Sequence, residues 1–257
     1  ADSVLDMFVS IFNYFAISDS EKPADRTFNY GRGKIEALAS VIEGTIISIS
    51  GLFLLYQAAK KAINNEASQY LEISIYVMII SLIITILLVI YLSYIAKKTN
   101  SMVIKADALH YKTDVFSNAA VLISLLLVTF TGYEIIDVIV GGGIALYIIY
   151  SAYSLIQEGI LVLLDRAVDE EVVSNIEEII KQNDKVNTYH LLKTREAANQ
   201  TFVEVHLVFN CLIRLMEAHK ASDSIENKIK KLDSRRDWII NIHMDPYDDF
   251  KVNDTNH

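Results

Sequence analysis

The chain has 257 residues, of which 52% are hydrophobic and 21% are charged, and its net charge is −9. The acidic balance argues against a nucleic-acid partner, and the single cysteine, Cys211, excludes an internal disulfide and allows a cytosolic location. The first 165 residues carry 10 Lys or Arg and 15 Asp or Glu, whereas the last 92 carry 13 and 17. This contrast predicts a membrane domain over 1–165 and a soluble domain over 166–257.

Long apolar stretches in the first part predict membrane-spanning helices, because about 20 apolar residues are needed to cross the hydrocarbon core. Four stretches are clear: Ile35–Ala59, Ile73–Ile95, Val103–Phe130 and Ile135–Leu164. A fifth, Val4–Ile17, is shorter and begins close to the first residue. We therefore expect five spans here, with a further helix preceding them in the full protein.

The connections between these stretches indicate the orientation. The loop at 18–33 and the turn at 97–102 hold five Lys or Arg, whereas the opposite side offers Lys60 and Lys61. Because basic connections stay in the cytoplasm, the charged C-terminal domain is predicted to be cytoplasmic.

Ionisable residues within membrane spans are costly and are therefore candidates for function. Asp2 and Asp6 lie four residues apart on the first predicted helix, and His110 and Asp114 have the same spacing on a later one, so each pair shares a helical face. One imidazole and three carboxylates are the ligand types and number of a tetrahedral divalent-metal site. The alternative is that each pair lines a hydrated groove or a helix end.

Two further acids lie within the predicted spans. For Glu43 and Asp137, hydrogen bonding between helices is the favoured interpretation.

The soluble part predicts a small α+β sandwich. Amphipathic periodicity indicates a helix over Glu170–Lys181 and a second helix from Leu215 to Leu232. Alternation over Thr201–Phe209 indicates a strand, and further strands are predicted near Tyr189–Arg195 and over Trp238–Met244. The order is α-β-β-α-β.

Histidines are concentrated in this part of the chain. Four of the six lie on separate predicted elements: His190, His206, His219 and His243. His243 shares a strand face with Asp245, and Met244 between them is predicted to point into the core. Scattered histidines are more often ordinary surface or core residues than ligands, so the pattern alone leaves a metal site open. Cys211 is interpreted as a buried or inert thiol.

Several motifs resemble the cation diffusion facilitator family of zinc transporters. The segment Ala106-Asp107-Ala108-Leu109-His110-Tyr111-Lys112-Thr113-Asp114 is similar to the family's fifth-helix motif, and Ala1-Asp2-Ser3-Val4-Leu5-Asp6 to its second-helix motif. The resemblance continues through segments along essentially the whole chain: Pro23-Ala24-Asp25, Tyr30-Gly31-Arg32-Gly33-Lys34-Ile35-Glu36, Leu164-Asp165-Arg166 and His243-Met244-Asp245-Pro246. The family's first helix is absent here.

The resemblance implies two kinds of metal site. The transport site would consist of Asp2, Asp6, His110 and Asp114, a set that resembles the zinc and cadmium type, with iron as a further candidate. The second, a two-zinc site, would lie in a metallochaperone-like cytoplasmic domain that forms a homodimer. Its ligands would be His190, His206, His219, His243 and Asp245.

Two other positions are judged against the family pattern. A third, weaker site in the family uses one Asp and two His, but here Asp25 is accompanied by Phe28 and Arg32, so this site is predicted to be absent or very weak. Lys34 and Asp165 match a charge pair that in the family links two helices near the dimer interface.

The resemblance therefore implies a proton-coupled exporter of Zn²⁺ that works by alternating access, has a regulatory cytoplasmic zinc site, and is not an enzyme. The short link at 97–102 has no histidine-rich insert, which favours the inner membrane of a bacterium. One alternative is a non-transporting metal sensor or scaffold of the same fold. A weaker alternative is an intramembrane aspartyl enzyme, but Ile144 follows Gly141-Gly142-Gly143 where such an enzyme would need an acid.

Overall fold

The computed structural model describes residues 2–64, 72–133, 135–197, 200–234 and 236–249, and within these it describes the side chains outside 2–6, 64, 72–78, 125 and 129. The chain forms two units, Ala1–Leu161 and Val162–His257.

The first unit is helical. Its helices are α1 (Asp2–Ser20), α2 (Lys34–Asn64), α3 (Glu72–Thr99), α4 (Met102–Thr131) and α5 (Ile135–Leu163). Among the described residues, four helices are long and apolar enough to cross a membrane, and they correspond to α2 through α5. The four clear spans predicted from the sequence are confirmed, and the shorter fifth stretch is also helical.

Local sequence signals fix the ends of α4. Ser101 adopts an extended conformation before the helix, and its hydroxyl accepts a hydrogen bond from the Ile104 N–H. Gly132 ends the helix with φ of 73°, and its N–H donates to the carbonyl of Val128 at 2.8 Å. A left-handed conformation at this position is one that glycine adopts without steric cost.

Helices α2 and α5 pack closely because small residues face each other. A Cβ added to Gly159 on α5 would lie 2.6 Å from Val41 Cγ2 and 3.0 Å from the carbonyl oxygen of Ala37, both on α2. On α2, an added Cβ at Gly44 would lie 2.8 Å from Ile156. Close approach of backbones through small residues is a common way for membrane helices to associate.

The outward surface of this unit is apolar. Helix α3 exposes large aliphatic side chains such as Ile80, Ile84 and Leu87, which are 60%, 62% and 63% exposed. A surface of this composition suits contact with lipid and not with water.

The second unit contains α6 (Glu170–Lys181), β1 (Val186–Ala197), β2 (Gln200–Phe209), α7 (Leu215–Lys230) and β3 (Asp237–Asp245). The strands form one sheet in the order β1-β2-β3, with β1 and β2 antiparallel and β2 and β3 parallel. The predicted α-β-β-α-β order is confirmed.

The core of this unit lies between the sheet and its two helices. Val203, Val205 and Leu207 on β2 are fully buried, and they belong to one cluster with Ile176 on α6 and Ile225 on α7. Period-two alternation on the strand and a helical stripe on each helix supply this core.

Met244 packs against the core, as predicted. Leu232 was placed on the second helix, but α7 ends at Lys230. Cys211 was interpreted as buried or inert, but its side chain is exposed in the turn after β2, so the prediction of burial is wrong.

Candidate cation sites

A buried carboxylate joins the ends of three helices in the first unit. Glu36 on α2 accepts hydrogen bonds from the hydroxyl of Ser20 at 3.3 Å, the hydroxyl of Ser101 at 2.9 Å and the N–H of Met102 at 3.0 Å. Ser20 is the last residue of α1, and Met102 is the first of α4. Helices α1 and α4 therefore run antiparallel from this junction.

Deeper in the same helices, Asn13 connects two acids. Its Nδ2 donates to Glu43 Oε2 at 3.1 Å and to Asp107 Oδ1 at 3.4 Å. Asn13 and Glu43 are 5% and 2% exposed. Glu43 therefore bonds between helices, as predicted, and Asn13 marks the face on which α1 meets α4.

This contact defines where the predicted transport residues lie. On α1, Asp6 is seven residues before Asn13, and on α4, Asp114 is seven residues after Asp107. Seven residues correspond to two helical turns, so in antiparallel helices both positions lie about 10 Å beyond the contact, on the same faces. The backbone thus brings the two acidic motifs to similar depths.

The side chains of this set are only partly described. His110 and Asp114 are partly buried on α4, whereas the side chains of Asp2 and Asp6 lie outside the described residues. The four-residue transport site therefore stays a prediction. Lys112 does not join it, since its Nζ donates to the hydroxyl of Tyr147 on α5 at 3.1 Å.

Asp137 is the other intramembrane acid noted in the sequence. On α5 it forms an ion pair with Lys61 near the end of α2, and both side chains are largely shielded from solvent. As predicted, this acid connects two helices.

In the loop between α1 and α2, the carboxylate of Asp25 is hydrogen-bonded to other groups of the same loop. Asp25 Oδ1 accepts from the N–H groups of Thr27 and Phe28 at 2.7 and 2.8 Å, and Oδ2 accepts from Arg32 at 2.6 Å. The Phe28 and Thr27 N–H groups, together with Arg32, hold the pKa of Asp25 below its usual value. Arg32 also stacks over the Phe28 ring at 4.4 Å. Both carboxylate oxygens are thus engaged within the loop, and the absent or weak loop site stays a prediction.

In the second unit, three histidines come together through the sheet register. His206 on β2 pairs with His190 on β1 and with His243 on β3. The ring centroids are 5.0 Å apart for His190 and His206, and 4.5 Å apart for His206 and His243. Strand pairing alone therefore aligns these three side chains.

Asp245 lies among these rings. Its Oδ2 is 2.9 Å from His206 Nδ1 and 3.5 Å from His190 Nε2, and its Oδ1 is 3.0 Å from His243 Nε2. Asp245 is 6% exposed. In such a buried position a carboxylate without partners would be energetically costly, so its contacts with the histidines are strong interactions.

A second carboxylate completes the group. Asp249 Oδ1 is 3.2 Å from His190 Nε2. One ligand atom from each of His190, His206, Asp245 and Asp249 lies within 4.8 Å of all the others. Two imidazoles and two carboxylates fit a four-coordinate ion of the zinc type. The sequence prediction did not include Asp249, although the acidic segment directly after β3 could have suggested it.

His219 lies apart from this cluster among the described residues. It lies on α7 with its side chain 58% exposed, and its Nε2 is 3.6 Å from Asp223 on the same helix. Its predicted role as a ligand remains a prediction.

The charge pair predicted for Lys34 and Asp165 involves residues of different units and also remains a prediction. Within its own unit, Asp165 accepts a hydrogen bond from Arg195 Nη1 at 3.1 Å.

Membrane-length helices followed by a small sheet domain with a His and Asp cluster define the class as an integral membrane protein that handles cations. The sequence matches the family model of the cation efflux transmembrane domain over residues 1–164, and that of the cytoplasmic domain of cation efflux proteins over residues 168–247. The chain belongs to this family, the cation diffusion facilitators, whose motifs it resembles. It is a multi-pass protein of the inner membrane and a member of a family of transporters, not of enzymes.

Curated relatives match over nearly the whole chain. The cation-efflux pump FieF of Pectobacterium atrosepticum is 33% identical over 245 residues, covering 95% of this chain and 81% of that protein. The FieF pump of Yersinia enterocolitica is 35% identical with the same coverage.

Solved structures match over the cytoplasmic domain. The zinc form of CzrB is 27% identical with a TM-score of 0.29, covering 32% of this chain and 92% of that chain. The manganese form of a MamM CTD variant is 14% identical with a TM-score of 0.28, covering 30% of this chain and 98% of that chain.

Proposed function

We propose that the protein is a proton-coupled exporter of divalent cations with Zn²⁺ as its main substrate. The ion binds Asp2, Asp6, His110 and Asp114 from the cytoplasmic side and leaves on the other side after the helices rearrange. Zinc ligands bind as neutral imidazole and ionised carboxylate, so binding displaces protons and their return favours release.

The hydrogen bond between Asn13 and Asp107 carries this proposal. It connects α1 with α4, and together with the helical repeat it supports a site to which both acidic motifs contribute at similar depths in the membrane. The imidazole in the set favours zinc, cadmium or iron over harder ions, which prefer oxygen ligands alone.

We assign the cytoplasmic cluster a regulatory role. His190, His206, Asp245 and Asp249 would hold the ion, with His243 next to them through its contact with Asp245. We further propose that the domain over 166–257 forms a homodimer, in which His219 of one subunit could reach a shared site. A ligand that binds one arrangement of the two domains more tightly than another shifts the transporter towards that arrangement.

Zinc flux and proton flux in proteoliposomes test the transport proposal. Asp114→Ala should abolish both, because it removes a ligand and a proton acceptor from the set. Glu158→Ala is the matched control, since Glu158 on α5 is an exposed acid paired with Lys105. Wild-type flux in Asp114→Ala would refute the site. Zinc binding without flux in the unmodified protein would instead favour the sensor alternative.

A further inference from the structure

Helix α2 carries two buried glutamates, seven residues apart, whose surroundings differ. Glu36 is 7% exposed and accepts three hydrogen bonds, from Ser20, Ser101 and Met102. These donors satisfy both oxygens of an ionised carboxylate. Glu36 therefore provides an internal reference for a buried glutamate that is compatible with a negative charge.

Glu43 accepts fewer hydrogen bonds than Glu36. It is 2% exposed, and its single hydrogen bond comes from Asn13 Nδ2 to Oε2. Its other oxygen, Oε1, has no hydrogen-bond partner among the described residues. A buried carboxylate with one neutral donor and one unpartnered oxygen is energetically costly.

The charge next to Glu43 increases this cost. Asp107 on α4 shares the same Asn13 amide. Among the described side chains, Asp107 is the charged group that acts on Glu43, and α1 presents the neutral Asn13 to it. Two carboxylates that share one neutral donor in a low dielectric are not both stable as anions.

The unpartnered atoms indicate where a proton can reside. Asn13 Oδ1 is also buried and without a hydrogen-bond partner among the described residues. The two oxygens without partners thus belong to the same two side chains that already share one N–H···O bond. A proton on Glu43 Oε1 would supply a donor where the ionised pair presents only acceptors.

We infer that Glu43 is a proton-binding site, held as a carboxylic acid and paired with the side-chain amide of Asn13, separate from the predicted metal ligands. The site lies on the cytoplasmic side of those ligands. The hydrogen-bonded line runs from Glu43 through Asn13 to Asp107, one helical turn before His110.

Infrared spectroscopy of the full chain in lipid nanodiscs at neutral pH tests the proposal. The wild type should show a carboxylic acid C=O band that shifts in D₂O. Glu43→Gln should remove this band, whereas Glu36→Gln and Asp107→Asn should each leave it in place. An unchanged band in Glu43→Gln, or the absence of any such band from the wild type, would overturn the proposal.

Thermal unfolding against pH provides a second measurement. A folded protein that binds a proton which the unfolded chain releases loses stability as the pH rises. The wild type should therefore lose stability as the pH rises from the ordinary glutamate range, where the unfolded chain releases this proton, through neutral pH, and Glu43→Gln should reduce this slope because glutamine mimics the neutral acid. A Glu43→Gln protein that cannot fold at neutral pH, or that has the wild-type slope, would also count against the proposal.

Discussion

The carboxylate of Glu36 accepts a hydrogen bond from the hydroxyl of Ser101, with a distance of 2.9 Å between the oxygens. Ser101 immediately precedes α4, and the same carboxylate oxygen also accepts from the Met102 N–H. A negative side chain therefore lies at the N-terminus of α4, where the helix dipole is favourable to it. With Ser20 on the other oxygen, this residue holds three helices together at their cytoplasmic ends.

Removing this side chain should loosen the helix junction. Glu36→Ala leaves the Ser101 hydroxyl and the Met102 N–H without their acceptor, which should lower the free energy of unfolding by about 2 kcal/mol. The Ser20 hydroxyl retains the carbonyl of Ile17 at 2.8 Å. Glu21→Ala, an exposed acid just after α1, should change it little. Thermal unfolding in detergent or nanodiscs measures both. Equal stability of the two variants would show that the junction contributes nothing.

The contact between α2 and α5 predicts a difference between two glycines on one helix. Gly159→Ala places a methyl group against Val41 and the backbone of Ala37, so overpacking should cost about 1–3 kcal/mol. Gly143→Ala meets nothing within 4 Å and should be neutral, or stabilising by up to about 1 kcal/mol. Thermal unfolding of both variants checks the sign, and a loss at Gly143 equal to that at Gly159 would contradict the packing.

Most helices and strands could be predicted from the sequence, because each depends on a local pattern of apolar and polar residues. The apolar stretches of α2 through α5 are long enough to cross the hydrocarbon core of a membrane, so their length alone predicts spanning helices. The alternation over Thr201–Phe209 predicts strand β2 and puts Val203, Val205 and Leu207 on one face, and all three are fully buried.

Parts of the candidate sites depend instead on contacts between distant residues. Spacing alone singles out Asp2, Asp6, His110 and Asp114. The relative depth of their two helices depends on the contact of Asn13 with Asp107, and Asn13 is an uncharged residue that no sequence pattern singles out. In the cytoplasmic cluster, the register of β1 changes after His190, and Leu191 adopts a positive φ of 50°. Such irregularities re-aim side chains and have no local sequence signal here.

The loop acid should show a pH dependence governed mainly by the backbone. Because the pKa of Asp25 is lowered, its loop contacts should persist above the ordinary aspartate pKa and be lost only as the pH falls through the lowered value. Arg32→Ala should raise this pKa only partway, since the N–H groups of Phe28 and Thr27 remain. NMR titration of labelled aspartate carboxyls measures the pKa, with Arg26→Ala as control. A full return to the ordinary value in Arg32→Ala would contradict this.

The same loop should be convertible into a metal site. Replacing both Phe28 and Arg32 with histidine frees Asp25 from the guanidinium and adds two imidazoles, so the double variant should bind one more Zn²⁺ per chain than the wild type. Phe28→His alone should not, because Arg32 still occupies the carboxylate. Isothermal titration of the full chain counts the ions. An additional ion in the single variant would show that Arg32 does not block the site.

The two aspartates that follow β3 should contribute unequally to metal affinity in the cytoplasmic domain. Asp249 belongs to the four-residue cluster, and its carboxylate oxygen lies 3.2 Å from His190 Nε2. Asp248 approaches the other nitrogen of His190 only to 3.7 Å, and its side chain is 58% exposed. Asp249→Asn should therefore weaken zinc binding to this site by about tenfold or more, while Asp248→Asn should have little effect.

Competition with a chelating dye on the full chain measures this affinity, and Asp114→Ala in the background removes the contribution of the predicted transport site. Because bound imidazole must be neutral, affinity in both variants should fall as the pH is lowered through the histidine range. Equal affinities for the two variants would mean that Asp249 is not a ligand, and the site would then consist of the histidines aligned by the sheet together with Asp245.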